Sequence, residues 1–371
     1  MKRSTALRRI THPVLWVDRA RTERNIRRMA EKAASGGVRF RPHFKTHQSS
    51  SIAAWFRPFG VDAIAVSSFQ MAEYFASHGW NDIQVAFPFN VREIEAANRL
   101  AAAIGLHVLV GNLAAVDELR AKLRSPTNVW IDIDTGYGRT GIPSKSTQRI
   151  EDLAKAIERS PVLKLVGLYG HAGNTYEASN TESIVRAYEE SRAELESVRE
   201  NLSRDGRQQL LISTGDTPGC SLAPDLGGVD EVHPGNFVFY DLAQLQLGAC
   251  AADDIAVVAA CPIVSIYTHR EEMAIHGGAV HLSKESLMDE SGRAIYGKAI
   301  RVQETGWDPH DVVGDVVSIS QEVGIVRVSG EAAHDLAVGD VLGILPVHSC
   351  LTASAIGDFW TVEGELLNTL Y

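Results

Sequence analysis

Residues 39–47 read RFRPHFKTH, in which Lys45 stands between His43 and His47 just after a strand-like run. A lysine entering a core is either a buried ion-pair partner or a nucleophilic amine able to condense with a carbonyl group. A second suggestive spacing lies near the C-terminus, where PVHSC sets His348 and Cys350 at i and i+2. On an extended segment that spacing turns both side chains to one face. Imidazole with thiolate is a soft pair suited to Zn²⁺. Spacing alone leaves open a solvent-facing histidine beside an inert buried cysteine.

The elements that must position these groups alternate. Short apolar runs occur at VRFRPHF (38–44), DAIAVSS (62–68), DIQVAFPF (82–89), LHVLVGN (106–112), NVWIDID (128–134), LKLVGLYG (163–170), QLLIST (209–214) and, more weakly, GVDEVHP (228–234). Most lack polar alternation, as expected of parallel strands covered on both faces. Helical patterns such as SFQMAEYFASHG and SIVRAYEESRAELESVRENL separate them, several closed by Gly or Asn. Eight such units in series predict an α/β fold, a (β/α)8 TIM barrel, with a doubly wound open sheet as the alternative. After Tyr240 the texture changes to strand-like runs, among them IAVVAACPIVSIY, DVVSISQ, GIVRVSG and DVLGILPV. The expected division is a barrel over residues 15–245 and a mainly-β domain over 246–371, joined by residues 1–14.

Composition narrows the partners. The chain has 371 residues, 45% of them hydrophobic, and a mean hydropathy of -0.07, which suits a large globular domain plus a smaller one. A formal charge of -10 argues against a nucleic-acid or anionic-membrane surface. No apolar run is long enough to span a bilayer, and MKRSTALRRI has no long apolar segment behind it. Cys220, Cys250, Cys261 and Cys350 form no CxxC pair, so a reduced compartment, the cytoplasm, is expected.

In a TIM barrel, chemistry sits where strands end in βα loops. Lys45 closes the first run. Asp132, Asp134 and Arg139 close the fifth in IDIDTGYGRTG, and His171, Asn174 and Tyr176 the sixth in YGHAGNTY. Ser213, Thr214 and Gly215 close the seventh in ISTGDTPGCS, and Gly235 and Asn236 follow the eighth in HPGNF. Glycine amides and a threonine hydroxyl on adjacent strands can cradle a phosphate, although either stretch alone would pass for a turn.

Taken together, RPHFKTH, DTGYGRTG, GHAGNTY, STGDTP and HPGNFVFYD resemble the fold-type III pyridoxal-phosphate enzymes, the alanine racemase-like barrels. Within them the branch of D-serine dehydratase and D-threonine aldolase is the most similar, over nearly the whole chain. The resemblance implies that Lys45 carries pyridoxal 5′-phosphate. It places Arg139 near the ring's phenolic oxygen, has His171 and Tyr176 line the cofactor, and gives Thr214, Gly215, Gly235 and Asn236 to its phosphate. His233 precedes the PGN turn where relatives vary, which leaves the pyridine nitrogen without an assigned partner. HGGAVHLSKES (276–286) stands where a different glycine-containing motif is expected, so His276 and His281 are open between substrate contacts and turn residues. The resemblance also implies a divalent metal, Zn²⁺ by ligand type, on His348 and Cys350. It implies a homodimer that builds each site from the barrel of one chain and the β domain of the other.

The expected activity is that of a lyase on D-β-hydroxy amino acids. His-x-Cys resembles the dehydratase form, giving keto acid and ammonia. Threonine aldolases more often carry His-x-Asp, and the alternative of D-threonine or 3-hydroxyaspartate cleavage gives glycine and an aldehyde. An amino-acid racemase has no use for the His348 and Cys350 pair. A non-catalytic pyridoxal-phosphate carrier would be expected to lack the β domain.

Overall fold

A computed structural model describes residues 7–203, 209–328 and 335–371. Residues 1–6 of the N-terminal stretch, and Ser329 and Gly330 at the end of GIVRVSG, lie outside the described residues. The chain divides into two compact units. One comprises Arg27–Lys45 and Phe56–Gly235; the other comprises Met1–Ile26, Thr46–Trp55 and Asn236–Tyr371.

In the first unit all eight apolar runs form parallel strands, Arg39–Phe40, Ile64–Val66, Asp82–Pro88, Gly105–Val110, Thr127–Asp134, Leu163–Gly170, Leu211–Thr214 and Glu231–Val232. Neighbours in sequence are neighbours in the sheet, and the eighth strand pairs back onto the first (Glu231 with Arg39, Val232 with Phe40). The ring closes between the first and second strands. There Phe44 N–H donates to Ala65 O at 2.8 Å and Ala65 N–H to Pro42 O at 3.0 Å. Closure removes the doubly wound alternative, whose strand order reverses at a switch point. Helices follow the strands where caps allow them to start. Ser68 and Asn112 accept from the amides of Met71 and Ala115, and so open Phe69–Ser77 and Leu113–Lys122. The first of these buries Phe69, Met71, Ala72 and Phe75, the apolar stripe that holds a helix to a sheet.

Polar groups fill part of the barrel toward the strand starts. Arg41, fully buried, donates to both Glu231 carboxylate oxygens at 2.8 Å and to Asp82 at 2.6 Å. Trp130 donates to His107 Nδ1 at 2.9 Å, which leaves the His107 Nε2 proton for Asp82 at 3.2 Å. Burial works to raise the Asp82 pKa, but the His107 hydrogen bond and Arg41 hold it well below the usual carboxylate range. Removing one partner of a buried pair strands the other's charge, at about 3–5 kcal/mol. Glu231→Ala is therefore expected to lower unfolding stability by about 3 kcal/mol. Urea titration measures this, and a loss under about 1 kcal/mol would mean that Asp82 alone satisfies Arg41.

The second unit is built on a closed antiparallel barrel. Val257–Tyr267 pairs with Glu272–His276, then come Val323–Val328, Gly306–Ile319, Gly297–Gln303 and Val341–Pro346, which returns to Val257–Tyr267. Its core includes Cys261, Ile263, Met273, Ile275, Val316, Val326, Leu342 and Ile344. Val14–Val17 extends this sheet, antiparallel to Val257–Tyr267 and parallel to Phe359–Thr361. The continuous boundary expected at residue 15 thus differs from the contact division. Val14, Leu15, Trp16 and Val17 are wholly buried and need a partner strand on each side for their backbone groups. None of the four cysteines is in a disulfide. Among the described residues no helix is long and apolar enough to cross a membrane.

Candidate active site

In the first unit the residues around Lys45 are mostly imidazoles. Lys45 N–H donates to His43 Nδ1 at 3.3 Å. His171 and His233 rings lie 6.5 Å apart, and His233 stacks on Tyr169 at 4.3 Å. Burial, then the charges of Lys45 and the neighbouring rings, hold His43 well below the usual imidazole range. Burial, followed by the His171 ring and Lys45, does the same to His233. Burial with Arg139 and Lys45 takes His171 down to about 3. All three rings are consequently neutral. The Gly215 carbonyl can only accept, so the 3.2 Å contact puts the His171 proton on Nδ1 and a lone pair on Nε2.

The fifth-strand loop presents Arg139. Asp134 accepts from the Gly136 and Gly138 amides at 3.0 and 2.9 Å and so clamps the loop. With Asp132, Tyr137, Arg139, Thr140 and His171 it lines a small cavity there. Burial raises the Asp132 pKa to about 6 against the pull of Thr140 and Arg139. The sixth- and seventh-strand loops are tied by Asp216, which accepts from Thr175 Oγ1 and Gly219 N–H, both at 2.7 Å. Tyr176, 40% exposed, lies in the short helical turn Gly173–Glu177. Thr214 is fully buried, yet its hydroxyl has no protein partner. Beside it Gly215 sits at φ 138, where a Cβ would meet Cys220 Sγ at 3.0 Å and His233 N at 3.2 Å. Only glycine fits that turn. Gly235 follows Pro234, whose carbonyl accepts from His43 N–H at 2.9 Å.

The second unit gathers His348 and Cys350. They are not on an extended segment as the i, i+2 argument supposed. His348 caps the helix Ser349–Ile356 and Cys350 falls in its first turn, because the strand before it ends at Pro346. The two side chains are nonetheless hydrogen-bonded to each other. Burial works to lower the His348 pKa, but Cys350, Asp241 and Glu285 push it up to about 10. Cys350 Sγ lies 3.2 Å from Thr46 Oγ1 and 3.6 Å from Asn236 Nδ2. That Asn236 amide also donates to Asp241 at 2.6 Å and Ser349 Oγ at 3.1 Å. Its side-chain nitrogen is committed to this network, which leaves the backbone as the part able to meet a phosphate. Asp241 in turn accepts from Ser349 N–H at 2.9 Å and so holds the helix start.

Sequence reasoning thus singled out Lys45, Arg139, His171, His348 and Cys350 but passed over His43, Thr46, Asp241 and Glu285. Two of those flank Lys45 in RPHFKTH, and Asp241 closes HPGNFVFYD, so the signal was available. His276 and His281 lie together, each with Nε2 3.8 Å from a Glu322 carboxylate oxygen. Two imidazoles and a carboxylate could hold a metal. However, Gly278 N–H donates to His281 Nδ1 at 3.3 Å, which turns a protonated Nε2 toward Glu322. In that tautomer the His281 ring is neutral, as burial also favours, and it offers no lone pair on the side of Glu322.

Residues 17–242 match the family model of the alanine racemase N-terminal domain, and residues 256–362 that of a serine dehydratase domain. The chain is 30% identical over 358 residues to a D-threo-3-hydroxyaspartate dehydratase of Delftia sp. (strain HT23), covering 92% of this chain and 91% of the other. It is 29% identical over 364 residues to a D-serine dehydratase of Dictyostelium discoideum, covering 92% and 90%. A solved structure of a D-threo-3-hydroxyaspartate dehydratase cysteine-to-alanine mutant in the metal-free form matches with a TM-score of 0.90 at 26% identity, over 99% of each chain.

Proposed function

The chain belongs to the alanine racemase N-terminal domain family, a fold family of pyridoxal-phosphate-dependent enzymes, and from that membership we propose a metal-dependent lyase of the D-serine dehydratase type. It converts D-β-hydroxy amino acids to a keto acid and ammonia. The observation that carries the reading is the hydrogen-bonded His348 and Cys350 pair. A D-threo-3-hydroxyaspartate dehydratase whose cysteine-to-alanine mutant was solved in a metal-free form supports the same assignment. Pyridoxal phosphate at Lys45 would supply the electron sink for a Cα carbanion, and the metal, zinc by ligand type, a Lewis acid for the departing β-hydroxyl.

The residues fit both groups. The orphaned Thr214 hydroxyl and the tight Gly215 turn suit a phosphate, and Gly235 and the Asn236 backbone follow the eighth strand. Arg139 offers a permanent positive charge to an oxyanion. His171 and Tyr176 stand on the loop that follows the sixth strand, and His233 keeps an unpartnered buried Nε2 for a ring nitrogen. Lys45 is also the amine able to take the Cα proton. Neutral imidazoles around it avoid stacking more positive charge beside it. His348 and Cys350 would hold the metal, and two protein ligands would leave it room for the substrate hydroxyl. Thr46 and Asn236 steady the sulfur, and Asp241 steadies the helix that carries it.

A panel of D-serine, D-threonine and D-3-hydroxyaspartate tests the reaction. Keto acid and ammonia support elimination, whereas glycine with an aldehyde would replace it by aldol cleavage. We further propose a homodimer in the cytoplasm, a compartment that keeps four thiols reduced. Sedimentation should give a species of twice the chain mass; full activity in one near 40.4 kDa would reject the dimer.

A further inference from the structure

We infer that Glu285 is the positioning residue of the metal site, setting which nitrogen of His348 faces the ion. The inference rests on the proposed role of His348 and Cys350. It comes from the HGGAVHLSKES stretch, which the proposed reaction leaves without a task. Glu285 Oε2 lies 2.7 Å from His348 Nδ1. A carboxylate can only accept, so Nδ1 keeps its proton and Nε2 is the nitrogen left to lose its own and meet an ion. A histidine that binds metal characteristically donates its other ring N–H to such a carboxylate, which orients the ring and raises its basicity.

The fold brings Glu285 there by specific means. Gly277 and Gly278 pass where a Cβ would meet Cys261 Sγ at 2.6 Å and the Ser320 and Gln321 carbonyls at 2.5 Å. That close passage lets the strand Glu272–His276 turn directly into the helix Ala279–Leu282. Thr352 donates to the Leu282 carbonyl at 3.4 Å, which pins this helix to Ser349–Ile356. Ser283, at φ 69, then reverses the chain, and its hydroxyl accepts from Glu285 N–H at 3.3 Å. The unusual glycine motif is therefore the support of a carboxylate aimed at His348.

Metal-stripped, cofactor-loaded full-length protein titrated with cobalt(II) tests this, with the thiolate-to-cobalt absorption band as the readout. Wild type should bind and Cys350→Ala should not; failure of wild type to bind would overturn the metal-site reading itself. Given wild-type binding, Glu285→Ala should weaken cobalt affinity by about 10- to 100-fold. Glu285→Gln, which keeps a neutral acceptor, should recover part of the loss. Glu290→Ala removes an exposed carboxylate of the same unit and should change nothing. Melting of the metal-stripped Glu285→Ala protein should match wild type. Affinity within twofold of wild type for Glu285→Ala, an equal loss for Glu290→Ala, or a loss explained by a lower melting temperature would overturn the inference.

Discussion

Lys45→Ala is expected to lower keto-acid release by about 1,000-fold, the range found when a positioned proton-transfer group is removed. The variant loses the only amine that the barrel rim places among His43, His171 and Arg139 in the described residues. Borohydride treatment of the cofactor-loaded wild type should fix the cofactor's mass on the peptide containing Lys45, and the variant should carry none. The rival reading makes Lys45 an ion-pair partner. That reading predicts lower stability with unchanged activity per folded molecule, and cofactor mass on another lysine. Either result would withdraw the assignment.

Cys350→Ala should separate the two bound groups. Lewis-acid help to a departing hydroxyl is worth several kcal/mol, so turnover should fall by about 100- to 1,000-fold. Elemental analysis should find no metal on the variant, while its visible cofactor absorbance stays at the wild-type level. Chelator-treated wild type should behave the same way and recover when zinc is restored. Were Cys350 an inert core thiol, its loss would cost some stability and leave the specific activity unchanged. Full activity in a sample free of metal would also end the proposal.

Local pattern determined much of this protein. The eight apolar runs, most without polar alternation, became eight parallel strands, because a strand covered on both faces is apolar along its length. Lys45, Arg139 and His171 fell on loops after those strands and Thr214 at the end of one, since the rim where strands end follows from strand order alone. The change of texture after Tyr240 marked the second barrel, because antiparallel strands carry their own turn residues. Other features depended on contacts between residues far apart in the chain. Ring closure rests on a few hydrogen bonds between 42–44 and Ala65, and no periodicity reports them. Val14–Val17 joined the antiparallel sheet through partners more than 200 residues away. His348 and Cys350 met through a helix start rather than an extended segment, held by Asp241 and Asn236 from another part of the chain. The Glu285 contact with His348 spans 63 residues, and a carboxylate among many surface carboxylates has no signature until folding aims it.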